Sequence, residues 1–288
     1  MTLSELHKKA KLEHWAVPHF NFSSLSQLKA ILEGAVAMRA PVVVGTSEGE
    51  RDFIGLTQAV DLVNSYRKTY DIPIFLNADH SRSFETAKAA CDAGYDSVHI
   101  DVSKKSFEEN LAETKKVVEY VKSTRPEVEV EGELKYLATE SSKIYKETIE
   151  IPEESYTKVA EAVRYVQETK VDRFAPAIGN LHGIAANIPK IRFDLIEQLT
   201  AALPQNLTFV LHGGSGIADE DLKRIIALGF NNVHISTEIR AAYTTGLRDY
   251  LQKNPEEISP AKYLEAAMNA VVPVVKEKLK TYNTVNVV

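Results

Sequence analysis

The sequence has one cysteine, Cys91, in 288 residues, so no internal disulfide can form and a bridge-stapled scaffold is excluded. Ala89, Ala90 and Ala93 around it offer no base to activate the thiol, which reads as a small buried helix side chain. Long hydrophobic runs are missing too: none approaches the roughly 18 residues a membrane helix needs, and the opening 1–9 stretch lacks the apolar core of a secretory signal. A reducing, cytoplasmic setting is the expectation, with no membrane partner. Positive charge is also short: 34 Lys and Arg stand against 40 Asp and Glu, a formal net charge of −6. A surface that binds a phosphate backbone needs clustered cations, so nucleic acid is not an expected partner. There is no internal repeat and no low-complexity tract.

What is present is the composition of a globular protein, 44% hydrophobic and 26% charged. Eight apolar, β-branched or aromatic runs lie at 17–22, 41–46, 72–78, 97–102, 128–134, 173–178, 208–211 and 232–236, each followed by helical periodicity or a helix start. Eight strands alternating with helices predict an α/β protein, a single-domain (β/α)8 barrel over residues 1–288; a doubly wound open sheet is the alternative. The connection at 135–153 is long, polar and without an apolar stripe, the pattern of a mobile loop. A helical extension begins near 259 at Ser259-Pro260, and Pro273 is expected to kink or break it.

In such a barrel the carboxyl ends of the strands form one mouth, which collects Asp79-His80, Asp101 with Ser103, Glu131 and Glu133, His182 and His212. Three imidazoles at strand ends make a tripod for a divalent ion of the zinc type, with Asp101 and Glu133 able to hold a second cation or brace the histidines. His7, His14, His19 and His99 read as structural. Two glycine-bearing turns accompany the ligands, Gly179-Asn180-Leu181-His182-Gly183 and His212-Gly213-Gly214-Ser215-Gly216. The second precedes a helix, so its backbone N–H groups and the Ser215 hydroxyl suit a phosphate, with Thr237 completing the cradle.

These motifs resemble the class II, metal-dependent ketose-bisphosphate aldolases, with fructose-1,6-bisphosphate aldolase as the nearest functional type. The likeness is carried by Phe209 through Gly216, Ala177 through Gly183, Asp79-His80, Val98-His99-Ile100-Asp101, Val130 through Leu134, Phe20-Asn21 and Ser47-Glu48-Gly49. It implies Zn²⁺, or Co²⁺ or another divalent ion, on His80, His182 and His212, with Asp101 and Glu133 near it. It implies Asp79 as the catalytic acid and base, Gly183, Gly213, Ser215 and Thr237 on the C1 phosphate, and Ser47 on the far phosphate. A homodimer or homotetramer follows from the same likeness. Three departures bear on substrate. Lys135 and the 138–142 stretch replace the usual loop, leaving Glu140 as the acid that would exchange the product's proton. Ala185-Ala186-Asn187 removes a cation near the phosphate, and His234 stands where an Asn usually contacts the ketose. A tagatose bisphosphate, a phosphorylated deoxy-ketogluconate and a catalytically silent phosphosugar-binding barrel remain the alternatives. A Schiff-base aldolase would need Lys135 in the mouth.

Overall fold

A computed structural model of the chain describes residues 1–135, 137, 139–187 and 190–288. Its strands are β1 (Val17–Asn21), β2 (Val42–Thr46), β3 (Ile74–Ser81), β4 (Ser97–Ile100), β5 (Glu129–Leu134), β6 (Arg173–Pro176), β7 (Thr208–Leu211) and β8 (Phe230–Ile235). They pair in parallel in chain order, and β8 returns to β1 to close the barrel. The (β/α)8 expectation therefore holds over the open sheet. Among the described residues no helix is long and apolar enough to cross a membrane.

Side chains alternate along each strand, and the two sides differ sharply. Leu76, Ala78, Val98, Ile100, Val130, Phe174, Val233 and Ile235 pack into the main apolar core with the surrounding helices. Between them, Asn77, Asp79, His99, Glu129, Glu131, Glu133, Arg173, Asn232 and His234 are buried polar residues. A second apolar cluster of Leu3, Leu6, Ala10, Trp15, Val17, Val43 and Phe75 packs the N-terminal helix Leu3–Leu12 against the starts of the first three strands.

Helix starts follow local chemistry. Ser24, Ser83 and Ser106 accept a hydrogen bond from the backbone N–H three residues on, and Gly94 ends its helix at φ 110°. The Pro260–Thr281 helix is not broken at Pro273. Fully buried Val271 and Val275 hold it on either side, and it packs on the Leu25–Ala37 and Thr237–Lys253 helices. Gly34 permits that approach, since a Cβ there would sit 2.7 Å from Val275 Cγ1.

Asp79 and His80 were expected where strand hands over to helix, but β3 runs on to Ser81. Regular alternation would aim two successive residues to opposite faces. Instead, the β3–β4 register shifts between Ala78 and Ser81 and His80 takes φ 49°, an irregularity that re-aims the pair so that both serve the mouth.

Candidate metal and phosphosugar site

The carboxyl ends of the strands deliver the predicted residues to one place. His80 Nδ1 donates to Asp101 Oδ2 at 2.8 Å, while Asp101 Oδ1 accepts from the Ser103 hydroxyl and amide. His212 Nε2 meets Glu131 Oε1 at 2.6 Å. Ring centroids lie 4.8 Å apart for His80 and His212, 5.1 Å for His80 and His182, and 5.9 Å for His182 and His212. Donor atoms within 4.8 Å of one another group as Asp79, His80, His99 and His212, as His80, Asp101 and Glu133, and as His19, Asp79 and His234. His182 shares the mouth but stands in none of these groups.

Several buried polar atoms here have no hydrogen-bond partner among the described residues: Asp79 Oδ1, His99 Nε2, Glu133 Oε2, His182 Nε2 and His234 Nδ1. Each such atom costs about 1–3 kcal/mol, and imidazoles beside carboxylates are the donor set of a zinc-type ion. The residues fit a divalent cation. Two of the three imidazoles are already unprotonated at neutral pH. Burial, with His80 nearby, pushes His182 down to about 3, and burial pushes His212 to about 3 despite Glu131, so both are neutral lone-pair donors at neutral pH. Burial opposes charge on His80, but Asp79 and the hydrogen bond to Asp101 outweigh it and raise the imidazole to about 9. Burial and the neighbouring Asp101 push Glu133 up to about 7.

An inner cavity of about 40 Å³ is lined by Asp79, His80, His182 and His212 and by the predicted phosphate and sugar residues Ser47, Gly183, Gly213, Ser215, His234 and Thr237. Gly213 has no alternative: at φ 61°, a Cβ would lie 1.9 Å from Leu181 O. An adjoining outer cavity of about 650 Å³ is lined by Asp101, Glu133 and Glu140 among others. Glu140 is mostly exposed and paired with Lys143. Lys135 Nζ instead pairs with Glu161 at 2.9 Å and lines neither cavity, which removes the candidate for an imine.

The 135–153 segment crosses the mouth, apart from residues 136 and 138, which lie outside the described residues. Ile144 bridges Ile184, Tyr145 N donates to Ile184 O at 2.7 Å, and Thr237 Oγ1 donates to Ser141 O at 2.7 Å.

Sequence reasoning missed four residues. His99, read as structural, is fully buried between acids: Nδ1 lies 3.6 Å from Asp79 Oδ1 and Nε2 lies 3.3 Å from Glu133 Oε2. His19 stacks on His234 with centroids 3.6 Å apart, and only a glycine at 45 leaves room, since a Cβ would stand 2.2 Å from His19 Cε1. The period of two, counted back from Glu133 and Asp101, was the available signal for His99. Arg240 lines both cavities, donates to Ser141 Oγ at 3.0 Å and pairs with Glu50 at 2.6 Å. Its position one turn after Thr237 on a helix start could have found it. Arg173 lies fully buried in the barrel interior.

A closed parallel barrel with imidazoles, carboxylates and glycine turns gathered at its carboxyl end defines a (β/α)8 barrel enzyme with a metal-type centre. A family model described as fructose-bisphosphate aldolase class-II matches residues 1–287. The chain belongs to that family and is a lyase; the family uses a divalent metal. It is 35% identical to a fructose-bisphosphate aldolase of Staphylococcus aureus, over 99% of this chain and 98% of the relative. It is 32% identical to one of Geobacillus stearothermophilus, over 99% and 97%. Among solved structures it is similar to the YdjI aldolase of Escherichia coli K12, with a TM-score of 0.84 and 26% identity over 99% of this chain and 97% of that one.

Proposed function

We propose that the chain is a zinc-dependent aldolase that reversibly cleaves a ketose 1,6-bisphosphate, in first place fructose 1,6-bisphosphate, to dihydroxyacetone phosphate and glyceraldehyde 3-phosphate. The observation that carries the reading is one inner cavity lined at once by Asp79, His80, His182 and His212 and by the Gly183, Gly213, Ser215 and Thr237 cradle. An acid, a metal tripod and a phosphate cradle in contact are what aldol cleavage of a phosphorylated ketose requires.

His80, His182 and His212 would hold the ion, with Asp101 and Glu133 beside them. Bound there, it supplies Lewis-acid polarisation of the ketose oxygens. The remaining work falls to the chain. The glycine turns, Ser215 and Thr237 anchor the C1 phosphate, while Ser47 takes the far one. Asp79 Oδ2 accepts from Asn21 Nδ2 at 2.9 Å, leaving Oδ1 free for a proton. In cleavage Asp79 takes the C4 hydroxyl proton, C4 becomes a carbonyl as C3–C4 breaks, and the electron pair stays with the three-carbon half. Glu140, on the segment that crosses the mouth, is the acid that returns a proton to C3. His234 faces the ketose. The same reading carries a cytoplasmic enzyme assembled as a homodimer or homotetramer.

A coupled assay for triose phosphate release, run on apo-protein with and without added Zn²⁺, tests the proposal. Zinc-dependent release from fructose 1,6-bisphosphate is expected. Zinc uptake with no triose phosphate from any ketose bisphosphate would leave the silent phosphosugar-binding barrel.

A further inference from the structure

Arg173 has no part in the cleavage step, although it is buried to 0% exposure at the start of β6, where the register sets it beside Glu131 of β5. Burying a guanidinium is costly unless its nitrogens are answered. Here three strands answer Nη1 and Nη2, while Nε has no hydrogen-bond partner among the described residues. Nη2 donates to Asn77 Oδ1 of β3 at 2.8 Å and lies 3.1 Å from Glu131 Oε2, and Nη1 donates to Asn232 Oδ1 of β8 at 3.3 Å. Glu129 Oε2 lies farther off, 3.8 Å from Nε.

Each of the three close partners orients a histidine. Glu131 Oε1 accepts from His212 Nε2 at 2.6 Å, so the lone pair of His212 is on Nδ1. Asn232 gives Nδ2 to Val17 O at 3.0 Å, which leaves only its Oδ1 for His234 Nε2 at 3.1 Å. His234 Nε2 therefore carries the hydrogen, and its bare Nδ1 turns to Asp79 Oδ1 at 3.5 Å. Asn77 Oδ1 accepts from Arg173 and, at 2.7 Å, from Ser97 Oγ, so its Nδ2 donates to His19 Nε2 at 3.1 Å. His19 in turn stacks on His234. Hydrogen bonds to the second nitrogen of an imidazole set its tautomer and its strength as a ligand.

We propose that Arg173 is the positioning residue of this centre: its planar fork fixes Glu131, Asn77 and Asn232, and through them sets the tautomers of His212 and His234 that a metal ion and a ketose meet. A lysine has three N–H donors but on one nitrogen, which cannot span the partners that Arg173 reaches separately through Nη1 and Nη2. The inference rests on the metal-dependent reading above.

The test uses metal-free full-length wild type, Arg173→Met, Arg173→Lys and Glu129→Gln, with Zn²⁺ affinity read by competition with a chromophoric chelator and ligand field read from the Co²⁺ absorption spectrum. Arg173→Met is expected to weaken Zn²⁺ binding by about 10–100-fold and to shift the Co²⁺ bands, with Arg173→Lys in between. Glu129→Gln removes a buried charge beside the same guanidinium without touching a mouth histidine, and should stay within about twofold of wild type. Where Arg173→Met does not fold, Arg173→Lys decides: a loss beyond about twofold supports the proposal and one within it overturns it. An unmoved affinity and spectrum in the Arg173 variants, or an equal loss in Glu129→Gln, overturns the inference alone. A wild type that takes up no metal overturns the underlying reading and the inference with it.

Discussion

Asp79 Oδ2 lies 3.9 Å from His80 Nε2, so the proposed acid and the proposed ligand are neighbours in space as well as in sequence, with separate tasks. Asp79→Ala should leave metal content near wild type and lower kcat by roughly 10²–10⁴, the range for loss of a general acid and base. Near-normal turnover in that variant would end the assignment. His80 gives a pH prediction whose sign follows from its raised pKa. The imidazole titrates at about 9, so the metal-free protein carries its proton at pH 7. Only the deprotonated form is a ligand, so metal uptake must expel that proton. Apparent affinity should rise by about tenfold or more per pH unit up to about 9, with more than one proton released per ion at pH 7, the His80 proton together with the share that Glu133, pushed up to about 7, still holds. A pH-independent affinity, or no proton release in an unbuffered titration, would contradict the arrangement around His80.

At the scale of elements, the 135–153 segment is the part whose behaviour matters most for turnover. Its described residues hold the mouth through hydrogen bonds to the 184–187 stretch and, at Ser141, to Thr237 and Arg240, and of them only Ile151 packs against the main apolar core. Segments with few buried apolar contacts open at low free energy. We propose that it is mobile without ligand and closes when a bisphosphate binds, bringing Glu140 toward the three-carbon product. Hydrogen exchange of its amides should slow on adding ligand. Glu140→Ala should slow deuterium exchange at C3 of dihydroxyacetone phosphate more than it weakens binding of that ketone. Equal protection with and without ligand, together with unchanged C3 exchange, would reduce the segment to surface.

For the whole molecule, the centre gathers side chains from at least five strands or their following loops, so an ion held there ties the barrel together. Chelation should abolish activity and lower Tm, with Zn²⁺ or Co²⁺ restoring both, because a ligand that binds only the folded state stabilises it. Borohydride with substrate should change nothing, since Lys135 is turned to Glu161. Inactivation by borohydride but not by chelator would reverse that conclusion. The fold was legible because strand runs and helix stripes are local patterns: six of the eight strands begin within one residue of their reading, while β3 starts two residues late at Ile74 and β8 two residues early at Phe230. The histidine, aspartate and glycine-turn motifs were legible for the same reason, each lying within a few residues of a strand end. What the chain order alone left undecided was which interior side chains share a layer. His19, His99 and Arg173 sat inside apolar-looking runs, and their roles appear only when the closed barrel sets β1 beside β8 and β5 beside β6. Local propensity settles each strand and helix, whereas barrel closure and register decide which buried nitrogen faces which oxygen.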